Sequence, residues 1–181
     1  MFQRNGLNVI QNEVVGNNKA YIAFGANLPY ANHSPAGTIV KACDAMKGRG
    51  VKVLGLSRLW QSPAWPDPSA PAYVNAVAEI STALPPFALL HVLRNIEQKF
   101  GRRRSVRNAP RTLDIDILSY GKVRIQSQHL QIPHPRLTAR AFVLLPLFDI
   151  APHWRLPGSG QPVSALIRAL PKESKTQTLP L

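Results

Sequence analysis

The sequence predicts an α+β fold, a sandwich in which helices pack on a mainly antiparallel β-sheet. Two observations lead to this class. Stretches of alternating apolar and polar residues, typical of strands, occur between stretches with apolar residues at helical spacing, in the order strand, helix, strand, strand, helix, strand. The length of 181 residues and the hydrophobic fraction of 45% suit a single domain with its own core.

The first three elements are marked by turn and cap residues. Lys19 to Asn27 predict a buried strand that ends in a glycine turn. Ser34 is suited to cap a helix whose first residue is a proline, and Gly48 ends that helix. Val51 to Trp60 then predict a second strand, in which Gly55 would form a bulge.

The remaining elements follow the same logic. Tyr73 to Ile80 alternate as a third strand, Pro86 to Phe100 form a strongly patterned helix, and Thr112 to Leu118 alternate as a fourth strand. Val163 to Leu170 predict a short final helix. The order of strands and helices is that of a ferredoxin-like core.

The two ends of the chain lack periodic patterns. We expect residues 1–18 to form a flexible N-terminal extension, residues 19–171 to form the domain, and residues 172–181 to form a loose C-terminal tail.

The charge of the chain indicates anionic partners. The formal net charge is +13 and the sequence pI is near 10.8, which fits either nucleic acid or a nucleoside triphosphate. Cys43 is the only cysteine, so neither an internal disulfide nor a thiolate metal site is available. No apolar run is long enough to cross a bilayer, and the first residues do not resemble a signal peptide. We therefore expect a cytoplasmic protein.

The most informative stretch is Arg102 to Leu118, where a loop leads into a strand. The loop contains five arginines, and a proline in it disfavours a helix. The arginines are Arg102, Arg103, Arg104, Arg107 and Arg111. Guanidinium groups match phosphate oxygens in pairs, so the loop is suited to a polyphosphate. Taken alone, such a run is usually a solvated loop or a nucleic-acid contact.

The strand after this loop carries two carboxylates on one face. Asp114 and Asp116 point to the same side, and the apolar residues around them point to the other. Two neighbouring carboxylates repel each other, and Mg²⁺, which prefers oxygen ligands, would relieve that repulsion. An Asp-x-Asp pair alone is more often a strand end with solvated carboxylates. Because the pair directly follows the arginine loop, we predict a metal–nucleotide site.

This stretch resembles the signature of the 6-hydroxymethyl-7,8-dihydropterin pyrophosphokinase family, whose members act in folate biosynthesis. The signature consists of a Pro-Arg pair, two residues, Asp-x-Asp and two aliphatic residues. The matching residues are Pro110, Arg111, Asp114, Asp116, Ile117 and Leu118. The resemblance extends, in order and spacing, over roughly Ala20 to Pro152.

The resemblance implies an enzyme that transfers pyrophosphate from ATP to 6-hydroxymethyl-7,8-dihydropterin and releases AMP. Two Mg²⁺ ions would be held by Asp114 and Asp116, and Arg102 and Arg111 would act beside them in catalysis. ATP and the pterin are the expected partners, and no nucleic acid, membrane or obligate protein partner is expected.

The resemblance also assigns binding residues along the chain. Those expected to bind the nucleotide are Glu97, Arg104, Arg107, His134 and Arg140. Those expected to bind the pterin are Ser62, Pro63, Trp65, Tyr73, Asn75 and Phe142. Tyr73 and Asn75 share one strand face, so an aromatic plane and an amide stand side by side, as a flat heterocycle needs.

Two departures from the family pattern concern the site. Ala26 stands where the family often has a serine, so a hydroxyl is missing at the end of the first strand. Asn108 stands where members often have an aromatic residue, and the loop is shortened near Arg107. The resemblance therefore does not say how this loop packs when it closes over a nucleotide.

The alternative to an enzyme is a ferredoxin-like RNA-binding module, which the charge alone would favour. Such a module predicts stacking aromatic residues spread over the sheet and has no need of paired carboxylates.

Overall fold

The computed structural model describes residues 17–103 and 109–181. Its main sheet is flanked by helices, with a small hairpin at one side. Along the chain the elements are β1 (Asn18–Ala26), α1 (Pro35–Ala45), β2 (Val51–Leu56), β3 (Trp60–Ser62), β4 (Tyr73–Thr82), α2 (Pro86–Lys99), β5 (Asp114–Tyr120), β6 (Ile125–Gln126), β7 (Gln131–Ile132), a 3₁₀ turn (Leu137–Ala139), α3 (Ala141–Ile150), α4 (Val163–Ala169), α5 (Lys172–Thr176) and β8 (Leu179–Pro180).

The main sheet has six strands, with β1 and β4 at its centre. The order is β5-β1-β4-β3-β8, and β2 also pairs with β4. All of these pairings are antiparallel, which confirms the predicted sheet. The register of β2 against β4 shifts between Val53 and Gly55, at the glycine where a bulge was expected.

Helices cover both faces of this sheet. Ala76, Ala78 and Ile80 of β4 belong to the apolar core under α1 and α2. Val77, which points the other way, belongs to a second core formed with α3 and α4. Both faces of β4 are therefore buried, and the sheet has the layered α+β arrangement that the sequence predicted.

The predicted strand Val51 to Trp60 is two strands in the structure. β2 ends at Leu56 and β3 begins at Trp60. At Ser57 the side-chain hydroxyl accepts the hydrogen bond of Val77 N, at 3.0 Å. Because a side chain takes the place of a main-chain carbonyl there, the ladder is interrupted and the chain restarts as a separate strand.

Helix α1 begins as the sequence indicated, whereas α3 was not predicted. Ser34 caps α1, and its hydroxyl accepts a hydrogen bond from Gly37 N at 3.2 Å. Helix α3 contains Pro146 and is apolar on nearly every side, because it packs between the sheet and α4. It therefore shows none of the amphipathic spacing by which a helix is recognised in a sequence.

The chain ends differ from the expectation where the structure describes them. Asn18 already belongs to β1, and residues 1–16 of the expected extension lie outside the described residues. Residues 172–181 are not a loose tail, because they form α5 and β8, and β8 joins the main sheet. No helix in the described part of the chain combines the length and the apolar character that crossing a bilayer would require.

Candidate active site

A cavity of about 600 Å³ lies over the ends of the central strands. Its walls come from β1, β4, β5, the loop after β3 and the start of α3. Apart from Glu97, it brings together every described residue that the sequence assigned to the site. These residues are Ser62, Pro63, Trp65, Tyr73, Asn75, Arg102, Arg111, Asp114, Asp116, His134, Arg140 and Phe142.

Strand β5 sends its two carboxylates into this cavity. Leu113, Ile115 and Ile117 are buried in the core on the opposite face. Asp114 and Asp116 alternate with them and line the cavity, as the period of a strand requires.

Asp114 is held between two arginines. Arg102 Nη1 donates to Asp114 Oδ1, and Arg111 Nη1 donates to Oδ2 at 2.7 Å. Burial alone would raise the pKa of Asp114, but the guanidinium groups of Arg102 and Arg111 hold that pKa below its ordinary value. Asp114 is therefore a fixed negative charge.

Among the residues that the structure describes, no cation lies as close to Asp116 as the two arginines lie to Asp114. His134 Nε2 lies 3.7 Å from Asp116 Oδ2 and Arg140 Nη1 lies 4.0 Å away. Burial, together with the charge of Asp114, raises the pKa of Asp116 to about 6. Its side chain is nevertheless 42% exposed, because it faces the open cavity, so this carboxylate is accessible to a bound cation.

Glu97 does not line this cavity, but it fixes Arg102, which does. Its Oε1 accepts hydrogen bonds from Arg102 Nη1 and from Ile115 N, both at 2.8 Å. Burial raises the pKa of Glu97 to about 7, although Arg102 and the Ile115 N–H oppose this effect. In this arrangement Glu97 ties helix α2 to β5.

His134 is a neutral group among cations. Its main-chain N–H donates to Leu118 O at 2.9 Å, and its Nδ1 accepts from Arg136 N at 3.1 Å. Burial, followed by the charges of Arg140 and Arg136, lowers the pKa of His134 to about 4. At neutral pH its approach to Asp116 is therefore not an ion pair.

The other end of the cavity combines aromatic rings with a buried amide. Asn75 is only 3% exposed, and its Nδ2 donates to Ser62 Oγ at 3.0 Å. Its Oδ1 lies above Gly25, 3.6 Å from where a side chain would begin at that glycine. The amide therefore presents an acceptor towards the cavity. Tyr73 and Phe142 supply aromatic faces on the same cavity.

An arginine also lies against each of these two rings. The guanidinium carbon of Arg111 lies 5.9 Å from the centre of the Tyr73 ring, and that of Arg140 lies 5.4 Å from the centre of the Phe142 ring. Trp65 lies on the loop after β3 and is 72% exposed, so its side chain both lines the cavity and faces solvent.

Asn27 is a site residue whose importance the sequence did not reveal. Its Oδ1 accepts a hydrogen bond from Arg111 N at 2.7 Å, and its Nδ2 donates to Pro71 O at 3.0 Å. Its own N–H donates to Arg111 O at 3.0 Å. Asn27 thus joins the end of β1 to Arg111 and to the loop before β4. In the sequence, an asparagine shortly after Gly25 could be explained equally well as part of a simple turn.

A second cavity of about 300 Å³ lies on the other side of the carboxylates. It shares Arg102, Asp114, Asp116 and His134 with the first cavity. Its further lining includes residues that the sequence analysis did not assign, among them Arg94, His129 and Gln131.

Two predicted nucleotide-binding residues, Arg104 and Arg107, lie outside the described residues, as does Asn108. Arg103, which precedes them, is exposed.

The oxygen ligands of the cavity suit Mg²⁺ bound together with a phosphate. Among residues 17–103 and 109–181, no cluster of three or more potential metal-binding side chains occurs. Within the same residues, no group donates a hydrogen bond to Asp116, and a cation would satisfy this carboxylate. One or two carboxylates completed by water and phosphate oxygens are the usual environment of protein-bound Mg²⁺.

The sandwich and its cavity define the class of protein: an α+β domain whose cavity combines paired carboxylates and arginines with aromatic faces. A family model described as 7,8-dihydro-6-hydroxymethylpterin-pyrophosphokinase matches residues 21–152. The chain belongs to this family.

Individual relatives agree with the family match. The chain is 39% identical over 156 residues to the 2-amino-4-hydroxy-6-hydroxymethyldihydropteridine pyrophosphokinase of Pseudomonas aeruginosa, an alignment that covers 86% of the chain and 93% of that protein. It is 40% identical over 150 residues to the enzyme of the same name from Haemophilus influenzae, covering 82% of the chain and 91% of that protein.

Some relatives are much longer than this chain. The folic acid synthesis protein fol1 of Pneumocystis carinii is 40% identical over 144 residues, which cover 80% of the chain but 18% of that protein. A crystal structure of Plasmodium falciparum HPPK-DHPS with pteroate has a TM-score of 0.65 at 15% identity, covering 84% of the chain and 42% of that protein. The latter similarity establishes the fold.

Proposed function

We propose that the chain transfers the pyrophosphoryl group of ATP to the hydroxymethyl group of 6-hydroxymethyl-7,8-dihydropterin, releasing AMP, in folate biosynthesis. The observation that carries this proposal is a single cavity with two different ends. One end has aromatic faces and the Asn75 amide, and the other has Asp114 and Asp116 with their arginines.

The aromatic end is suited to a pterin. A flat ring can lie between the faces of Tyr73 and Phe142, which stabilise it by stacking and by excluding water. Because Ser62 holds the Asn75 amide nitrogen, the free amide oxygen selects a ring edge that donates hydrogen bonds. The amino and ring N–H groups of a pterin are such donors.

The charged end is suited to a triphosphate. Arg102 and Arg111 already point into the cavity and are held there by Asp114. When phosphate oxygens arrive, both guanidinium groups are already ordered by their contacts to carboxylates, Arg102 by Glu97 and Asp114, and Arg111 by Asp114. Arg140 and the neutral His134 line the same cavity.

The second cavity offers a place for the rest of the nucleotide. It meets the first cavity at Asp114 and Asp116, so a ligand in each would bring its reacting end to the same two carboxylates. Arg94, His129 and Gln131 supply cationic and hydrogen-bonding groups on its wall. This arrangement supports a reaction between two bound substrates.

Asp114 and Asp116 would hold Mg²⁺, two ions in all, with phosphate oxygens completing the coordination. When bound, the metal would neutralise the triphosphate and stabilise the AMP that leaves. Asp114 would exchange at least one of its arginine contacts for the cation. Each arginine contact given up in this way would become available to the pyrophosphoryl group, which carries more charge than a single phosphoryl group.

In the proposed reaction the hydroxymethyl oxygen attacks the β-phosphorus, and the bond from that phosphorus to the oxygen of the α-phosphate breaks. The hydroxyl proton leaves to solvent. No strong base is needed, because holding the two substrates in line and neutralising their charge supply the main part of catalysis. Both substrates are small soluble molecules, which favours a cytoplasmic enzyme that works without an obligate protein partner.

The RNA-binding alternative fits the structure less well. A module of that kind uses an open sheet face on which bases stack. Here helices cover both sheet faces, and Tyr73, Phe142 and Trp65 converge on one cavity.

Chromatography of the nucleotide products tests the proposal. We expect one AMP for each pterin consumed, with a requirement for both Mg²⁺ and the hydroxymethylpterin. Asp114→Ala and Asp116→Ala should each abolish turnover, whereas Asp44→Ala, on the exposed side of α1, should not. Formation of ADP, or turnover that persists with EDTA, would refute the proposal.

A further inference from the structure

Strand β8 joins the sheet from outside the family match. The match ends at residue 152, whereas β8 comprises Leu179–Pro180. β8 pairs antiparallel with β3, with Pro180 opposite Trp60 and Leu179 opposite Gln61. Leu181 N also donates to Leu59 O at 2.9 Å.

The partner of β8 is the strand that fixes the Asn75 amide. β3 has only three residues, and its other neighbour is β4, where Trp60 stands opposite Asn75. The Asn75 Nδ2 donates to Ser62 Oγ at 3.0 Å and is 3.5 Å from Trp60 O. Both acceptors belong to β3, so the orientation of the amide depends on where β3 lies.

The contribution of β8 comes from its main chain. Leu179 and Leu181 are 57% and 63% exposed, so their side chains add little packing. Hydrogen-bonded and non-hydrogen-bonded pairs alternate in an antiparallel ladder, and the bond from Leu181 to Leu59 places Pro180 in a non-hydrogen-bonded position. A proline, which has no N–H, is tolerated there.

The segment that precedes β8 is packed against the rest of the protein. Val163, Leu166 and Leu170 of the preceding region are buried in the core that also contains α3. Thr178 is 4% exposed, and its hydroxyl donates to Ser174 O at 2.8 Å. β8 therefore enters the sheet from an anchored position and can hold β3 in place.

We propose that β8 is a positioning element for the heterocycle end of the cavity: by pairing with β3, it fixes Ser62 and thereby the acceptor that Asn75 presents. This inference rests on the proposed function, since it assigns the pterin to that end of the cavity. It predicts that loss of β8 weakens the use of the pterin and leaves the use of ATP unchanged, because Asp114 and Asp116 lie on β5, across the sheet from β3.

The test compares the full chain with a variant lacking residues 179–181. Deletion should raise the KM for the pterin about five- to tenfold, the effect of misaligning one buried hydrogen bond, with kcat and the KM for ATP changed by less than about twofold. The matched control is Leu179→Val with Leu181→Val, which keeps the main chain and should retain the original KM. Asn75→Ala gives the upper limit of the expected increase.

Three results would overturn the inference. They are an unchanged pterin KM in the deletion, an equal rise in both KM values, and an increase in the valine control that matches the deletion. If the deletion does not fold, Leu179→Pro, which removes one N–H from the ladder, is judged by the same criteria. An intact chain that does not consume the pterin refutes the proposed function itself, whereas an active chain with an insensitive deletion refutes only the role of β8.

Discussion

At the scale of single residues, the cavity holds neighbouring titratable groups in different states. Arg102 and Arg111 keep Asp114 ionised, whereas the pKa of Asp116, two residues along the same strand, is raised to about 6. His134 is neutral because burial and nearby arginines lower its pKa to about 4. Of these three groups, Asp116 is the one whose charge changes nearest to neutral pH, and it faces open space.

This difference predicts a pH dependence of nucleotide use. Asp116 is protonated below its pKa of about 6, and a protonated carboxyl no longer attracts a cation. We therefore expect kcat/KM for ATP in the presence of Mg²⁺ to fall about tenfold per pH unit below pH 6. In the proposed complex a bound cation would keep the carboxylate ionised, so kcat should change much less. Initial rates between pH 5 and pH 8 measure both quantities, and a fall of kcat in parallel with kcat/KM would contradict this assignment.

At the scale of elements, the turn that ends α2 determines the position of Arg102. Gly101 follows the helix with a φ of +76°, a conformation that favours glycine. An added side chain there would overlap the ring of Tyr30, which packs edge-on against Phe100. Arg102 N then donates to Glu97 O at 3.0 Å, so the turn is closed on the helix.

Gly101→Ala should therefore be far more damaging than its matched control, Gly48→Ala. Gly48 has a φ of +75° but no atom within 4 Å of an added Cβ, so that substitution should cost only the backbone term of about 1–2 kcal/mol. Gly101→Ala adds the collision with Tyr30 and should also lower kcat/KM by displacing Arg102. Urea denaturation and steady-state rates test both effects. Equal losses of stability in the two variants would show that the Tyr30 ring moves aside without lowering the free energy of unfolding.

The elements also show which features a sequence can predict. The positions of Asp114, Asp116, Tyr73 and Asn75 follow from the period of a strand, so each pair could be placed on one face before the fold was known. The alternation in β4 and the spacing in α2 were equally readable because each has one regular pattern.

The features that were missed depend on contacts between distant parts of the chain. Helix α3 is apolar on nearly all sides, and β8 has only two residues, so neither has a period to detect. Asn27 acts through hydrogen bonds to residues 44 and 84 positions away. The unequal pKa values of the carboxylates likewise arise from burial in the folded chain and from Arg102 and Arg111, which form close ion pairs with Asp114.

At the scale of the whole molecule, the chain carries many more positive charges than the few arginines that line the cavity. The chain carries 22 lysines and arginines against 9 aspartates and glutamates. A field of this sign attracts anions towards the protein from beyond contact distance and leaves neutral molecules unaffected. The two proposed substrates differ in this respect, because ATP is an anion and the pterin is neutral.

Added salt should therefore affect the two substrates differently. Raising the ionic strength from about 0.05 M to about 0.5 M shortens the range of electrostatic attraction to a few ångströms, and we expect kcat/KM for ATP to fall at least about threefold. The value for the pterin, measured at saturating ATP in the same buffers, should change by less than about twofold. If kcat/KM fell equally for both substrates, the effect of salt would be on the fold and not on the electrostatic attraction of ATP.

The position of β1 has a consequence for how the molecule opens. β1 is hydrogen-bonded to β4 along its whole length and to β5 from Ala20 to Gly25, whereas β3 is a three-residue strand near the edge of the sheet. We therefore expect amide protons in β1 to exchange with solvent only when most of the domain unfolds, and those in β3 to exchange through a smaller, local opening. On this expectation, opening at the heterocycle end would require the short β3–β8 pairing to separate, whereas β1 and β5 beneath the carboxylates would stay paired. Binding of the ring would slow deuterium uptake in β3 long before it changed anything in β1.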